Sequence, residues 1–138
     1  MNKVFMAVSV LAMSVLMFSC GADDVANIGK ANARVKALES AINSHSYTAF
    51  LACFADASSY QDSYTSDQFD TAFPSGVTYS FGGVSPNGDN EFECTSTKSS
   101  TDDATYDNDF TMVEENDDLF IKDWSEGGEI IWQIPKKK

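Results

Sequence analysis

The apolar residues of this chain change period at Gly76, and that change restricts the fold more than any other feature. Before it, Ile28, Ala31, Val35, Leu38 and Ile42 recur at helical spacing and form one stripe, with Lys30, Arg34, Lys36 and Glu39 outside it. Asn43-Ser44-His45-Ser46 then breaks the pattern with residues that prefer caps and turns. Ser46 suits the N-cap of a second helix from Tyr47 to about Ala55, which would bury Tyr47, Phe50, Leu51 and Phe54. Ala57 to Asp62 reads as a short strand. Thr65-Ser66-Asp67-Gln68 is a capping-box signature for a third helix ending near Phe73, with Pro74-Ser75-Gly76 closing it.

After Gly76 the period is two. Val77, Tyr79 and Phe81 share one strand face, and Ser85-Pro86-Asn87-Gly88 reads as a turn because Asn-Gly favours tight hairpins. Phe92, Cys94 and Ser96 then face one way and Glu91, Glu93 and Thr95 the other. Beyond a loop from Ser99 to Asp103, Tyr106, Asn108, Phe110 and Met112 alternate with Asp107, Asp109 and Thr111, as in a half-buried strand. Asn116-Asp117 turns into a strand over Leu119 to Trp124, Glu126-Gly127-Gly128 turns again, and Ile130 to Ile134 is the last strand. Helices followed by an antiparallel meander predict an α+β domain, its N-terminal helices packed on a curved antiparallel sheet.

The beginning of the chain gives an address. Lys3 supplies a positive charge, Val4 to Phe18 is apolar apart from Ser9 and Ser14, and Ser19-Cys20-Gly21-Ala22 is small-residue rich. These are the three parts of an export signal, and the run is shorter than the roughly 20 apolar residues a membrane span needs. The stretch resembles a bacterial lipoprotein signal peptide, whose cleavage leaves a lipid-bearing cysteine as the first mature residue. Met17 stands where that family usually has Leu, and Phe18 where it has a small residue. The resemblance implies a signal peptide over residues 1–19 and lipid attachment at Cys20. Gly21, in place of Asp, then implies passage to the outer membrane, with the domain periplasmic or surface-facing. A plain secretory cut after Ala22, giving a secreted or periplasmic soluble protein, fits the same residues. Residues 20–27 read as an acidic tether, 28–135 as one domain and 136–138 as a basic tail.

The whole chain carries a formal charge of −12. An acidic surface excludes nucleic acid as a partner, since phosphates need Lys and Arg, and it excludes electrostatic docking on anionic lipid. Attachment to a membrane must therefore come through the N-terminal lipid. Two cysteines remain beyond Cys20: Cys53 and Cys94. In an oxidising envelope compartment they have one pairing open to them, and a disulfide between them is expected because both fall at the helix–sheet contact. Two separate buried thiols are the alternative. With no Cys-x-x-Cys and one histidine, neither a zinc site nor a redox cofactor is expected.

The stretch from Ala41 to Ala57, ending Phe54-Ala55-Asp56-Ala57, resembles the second-helix region of the nuclear transport factor 2-like (SnoaL-like) superfamily. The order of helix, break, helix, short strand, short helix and meander matches that superfamily over residues 28 to 134, with a cystatin-like or pilin-like layout as the competing plan. The resemblance implies a cone-shaped domain, often a homodimer, with a pocket between sheet and long helix. Catalytic members of the superfamily use an Asp–His pair or a Tyr–Asp arrangement, and neither pattern matches here residue by residue. Tyr60, Asp62, Tyr79, Phe110 and Trp124 are the candidate pocket residues.

Chemistry is thinly signalled. His45 lies in a helix break with no acid beside it in sequence, so it reads as a solvated turn residue. The eight carboxylates between Asp102 and Asp118 lack the spacing and central glycine of a calcium loop and read as a solvated strand face. The expectation is a membrane-anchored envelope protein that is not an enzyme and binds a small apolar ligand or a protein partner without metal or cofactor. A SnoaL-like enzyme acting on a hydrophobic substrate, or a structural envelope protein without a pocket, are the alternatives.

Overall fold

The computed structural model describes residues 22–56, 64–99 and 104–127. Cys20, Tyr60, Asp62, the expected strands over 57–62 and 130–134 and the basic tail lie outside them. The fold is α+β, with helices packed against a curled antiparallel half-barrel sheet, a shape compatible with the expected cone.

The first helix, α1, spans Ala22–Asn43. It starts six residues before the apolar stripe, so the segment expected as a tether is helical from Ala22 onward. Val25, within that extension, is 69% exposed. Its sequence contains no Pro, and acidic residues near a helix start complement the positive end of the helix dipole. From Ala31 the stripe is buried as expected, with Ala31, Val35, Leu38 and Ile42 all in the core.

The second helix, α2 (Tyr47–Leu51), begins at the expected N-cap, where Ser46 accepts from the Ala49 N–H. It ends four residues earlier than periodicity suggests, because Cys53 to Ala55 leave the helix to lie along the sheet. Ile121 N donates to Cys53 O and Ala55 N donates to Ile121 O, a parallel bridge centred on Phe54. Helix α3 (Ser66–Ala72) has the full capping box, Thr65 with Gln68.

The sheet contains β1 (Tyr79–Phe81), β2 (Ser85–Gly88), β3 (Glu91–Lys98), β4 (Thr105–Glu115) and β5 (Asp118–Glu126). β1 and β2 both pair with β3, β1 along its second half and β2 along its first, so together they form one bent edge strand. β3, β4 and β5 follow as a meander. Ser85 to Gly88 was expected as a turn, but it is strand, and the chain turns one step later at Asp89-Asn90. Pro86 tolerates this place because an edge strand has N–H groups to spare. Gly88 supplies a bulge at φ +149°, where a Cβ would stand 2.8 Å from a Glu91 carboxylate oxygen.

The outer edge of β1 is closed by side chains of α1. Asn43 Nδ2 donates to Tyr79 O while Tyr79 N donates to Asn43 Oδ1, both at 2.8 Å. Phe81 N donates to Glu39 (2.6 Å), Lys36 donates to Phe81 O (2.7 Å) and Val84 N donates to Asn32 Oδ1 (2.9 Å). Asn32, Lys36, Glu39 and Asn43 thus make a polar stripe beside the apolar one. It satisfies strand groups that would otherwise invite edge pairing. Lys36 and Glu39 are therefore edge clamps rather than purely solvated residues. Arg34 is likewise drawn in: it donates to Leu119 O (2.7 Å), pairs with Asp118 (2.9 Å) and lies 4.0 Å over the Phe120 ring.

Candidate functional site

The concave face of the sheet has an apolar middle and a polar end. In the middle, Trp124 stacks on Phe110 (ring centres 5.6 Å apart, planes 14°) and on Phe73 (6.2 Å, 2°), with Phe81 edge-on at 5.8 Å. Phe50 and Phe69 continue the packing beneath the helices. Of the candidate pocket residues, Tyr79, Phe110 and Trp124 are 6%, 1% and 1% exposed. Among the described residues these three belong to one cluster of ring-on-ring contacts on the concave face.

The polar end is built by the next inward positions on the same strands. Asn108 Nδ2 donates to Ser96 Oγ at 2.8 Å and to Tyr106 O at 3.2 Å, and Asn108 Oδ1 accepts from Trp124 Nε1 at 2.9 Å. Beside this network Lys98 forms an ion pair with Glu126, whose side chain is 4% exposed. Among the described residues, neither Glu126 oxygen has a hydrogen-bonding partner apart from the Lys98 ammonium. The ammonium also lies 4.3 Å from the Tyr106 ring centre and 5.2 Å from that of Tyr79, a cation held between two aromatic faces.

Burial opposes the charge on Lys98, yet the hydrogen bond and charge of Glu126 together with Tyr79 outweigh it and hold the lysine above its ordinary range. Burial raises Tyr79, with the negative charge of Glu126 adding to it and Lys98 partly offsetting.

Periodicity misplaced Glu126, which was expected in a turn. β5 carries an irregularity that pairs Thr111 with Asp123 but Met112 with Ile121, leaving Lys122 as the extra residue. Such a bulge reverses the facing of everything beyond it. Leu119 and Ile121 point inward at odd positions, Trp124 and Glu126 at even ones. The sequence does hold a clue, since Ile121 and Trp124 cannot share a face of a regular strand.

Cys53 and Cys94 are both buried and both free, so the expected disulfide is not present. Cys94 lies on β3 opposite Asn108, whereas Cys53 lies beyond β5, next to Ile121. Three strand steps separate them, about 14 Å along the sheet, where a bridge needs Cα atoms within about 7 Å. Burial raises both thiols, Cys94 to about 11, with the charge of Arg34 opposing it at Cys53 and that of Lys36 at Cys94.

His45 has an acid after all: its Nε2 stands 2.9 Å from Asp70, and its ring packs 5.3 Å from Phe69. Twenty-five residues separate the two, so sequence proximity had nothing to show. The side chains are 36% and 59% exposed on the outside of the domain, away from the concave face, and they latch α3 to the turn after α1.

Among the described residues, clefts occur elsewhere. One of about 490 Å³ is lined by Gly83, Ser85, Glu93, Thr95, Asp107 and Asp109, where the acids point outward as expected. Another, about 320 Å³, lies between Asn27 and Ile28 of α1 and the tip of the β2–β3 hairpin. Among the described residues no three His, Cys, Asp or Glu are placed to share a metal ion, and no helix is long and apolar enough to cross a membrane. No protein-family model, no curated protein and no solved structure matches the chain.

Proposed function

We propose that this chain is an envelope lipoprotein, anchored through Cys20, whose nuclear transport factor 2-like domain is a binding module and not an enzyme. The binding determinant is the polar end: Lys98, Glu126, Tyr79 and Tyr106, supported by Asn108 and Ser96. The observation that carries this reading is Glu126, a buried carboxylate whose oxygens, among the described residues, meet one ammonium. Desolvating such a pair costs several kcal/mol, so hydrophobic residues would serve stability as well or better. A polar or cationic group of a ligand or protein partner would complete its hydrogen bonding. Aromatic capture of a small apolar ligand is less favoured, because the rings of the concave face already pack on one another.

A structural role without a ligand is the second reading, and the close packing of Phe73, Phe81, Phe110 and Trp124 favours it. The test has two arms. Radiolabelled palmitate should enter the protein and be lost in Cys20→Ala. Ligands found by thermal-shift screening of the purified protein should lose their effect in a Lys98→Met, Glu126→Leu double variant that still folds. Hits indifferent to that double variant would remove the polar end from the proposal.

A further inference from the structure

The two ends of the domain stand at opposite ends of α1. Asn27 and Ile28 share a cleft with Pro86, Gly88, Asp89 and Asn90, so the β2–β3 tip is level with the early part of the helix. At the other end Asn43, the last helical residue, clamps Tyr79, whose ring faces Lys98. Sixteen residues of helix separate the two levels, about 24 Å at 1.5 Å per residue.

The helix is also held firmly at its root. Asn32, Lys36, Glu39 and Asn43 bind the β1 edge, and Arg34 binds the β4–β5 turn. It is continuous from Ala22. Only one residue therefore separates the proposed lipid-bearing Cys20 from a rod that is part of the fold. Two peptide steps span at most about 7 Å, far less than the flexible linker that would let a domain tumble.

We propose that α1 is a stalk without a linker: it seats the β2–β3 and β4–β5 turns next to the lipid surface and presents the Lys98–Glu126 end to a water-borne partner. Charge does not hold the turns there: Asp89, Glu91, Glu114 and Asp117 sit at or beside them, are all exposed and are repelled by anionic headgroups within about a Debye length, 8–10 Å. The short tether must hold the turns in place against that repulsion. The proposal rests on the lipid anchor proposed above.

The test uses the full acylated protein on vesicles of phosphatidylcholine with one fifth phosphatidylglycerol and a headgroup-attached spin-label quencher. A fluorophore is placed at Asp89→Cys or at Thr97→Cys, both exposed positions. The native buried thiols, raised by burial, do not compete for the label at neutral pH. Quenching at position 89 should exceed that at 97 by at least about threefold, and a 20-residue Gly-Ser insertion between Gly21 and Ala22 should erase the contrast. Equal quenching at both positions in vesicle-bound protein overturns the orientation while leaving the anchor intact. A contrast that survives the insertion overturns the stalk as its cause. Protein that does not float with the vesicles overturns the anchor, and the proposal with it.

Discussion

Two regions of one sheet face, a single inward position apart, are built on opposite principles. Around Trp124 the contacts are ring on ring, and the phenylalanines there are replaceable by other apolar groups of similar volume. Around Glu126 the contacts are charge on charge and hydrogen bond on amide, with little room for substitution in either partner. Asn108 joins the two regions, accepting from Trp124 and donating to Ser96. The difference teaches that position on a buried face does not decide chemistry. The apolar region supplies the stability that lets the polar one carry a poorly satisfied carboxylate.

The sharpest way to break the comparison is to put a charge where the rings are. Trp124→Asp places a carboxylate without a cation among Phe73, Phe81 and Phe110, and the expected result is a chain with no cooperative unfolding transition by calorimetry. Trp124→Ala comes next. It opens a large cavity and strips Asn108 Oδ1 of its donor, for a loss of about 4 kcal/mol and a fall in Tm above about 10 °C.

The polar region should respond asymmetrically. Lys98→Met leaves Glu126 buried without its cation, costing about 3 kcal/mol in urea titration, whereas Glu126→Gln should cost less because Lys98 is 19% exposed and can turn to water. The Lys98→Met, Glu126→Leu double variant should return to within about 1 kcal/mol of the parent. Additive losses would mean that the pair is not a coupled unit.

A pH titration treats both regions together. Cys94, Cys53, Tyr79 and Lys98 all hold their protons more tightly folded than unfolded. Their contributions are fully present below their unfolded values, the lowest being 9.0 for the thiols, and vanish as pH rises through the folded ones. Stability from these groups should be flat up to about pH 9 and then fall toward pH 11, as followed by urea midpoints. The smallest effect is at the outer latch. His45→Ala should cost less than about 1 kcal/mol, since an exposed pair contributes little and the histidine's φ of +53° is itself unfavourable.

Much of the fold was readable in the chain because it rests on local patterns. The stripe of α1, the Ser46 cap, the Thr65–Gln68 capping box, the alternation of β3 and β4 and the turn at Asn116-Asp117, both with positive φ, follow from neighbours within a few positions. The polar end was not readable. Nothing near Lys98 in sequence indicates Glu126, because the contact runs from β3 across β4 to β5 and depends on one bulged residue.

What the sequence alone determined, then, is the order of elements and the apolar faces, since these obey periods of 3.6 and 2 that any short window displays. Tertiary structure alone decided which polar residues turn inward. Asn32, Lys36, Glu39 and Asn43 bind a strand edge rather than water because that edge has unpaired groups to satisfy. Cys53 and Cys94 stay apart because the register places three strand steps between them. Glu126 enters the interior because a bulge reverses its strand, and a residue's facing beyond a bulge is a property of the pairing, not of the residue.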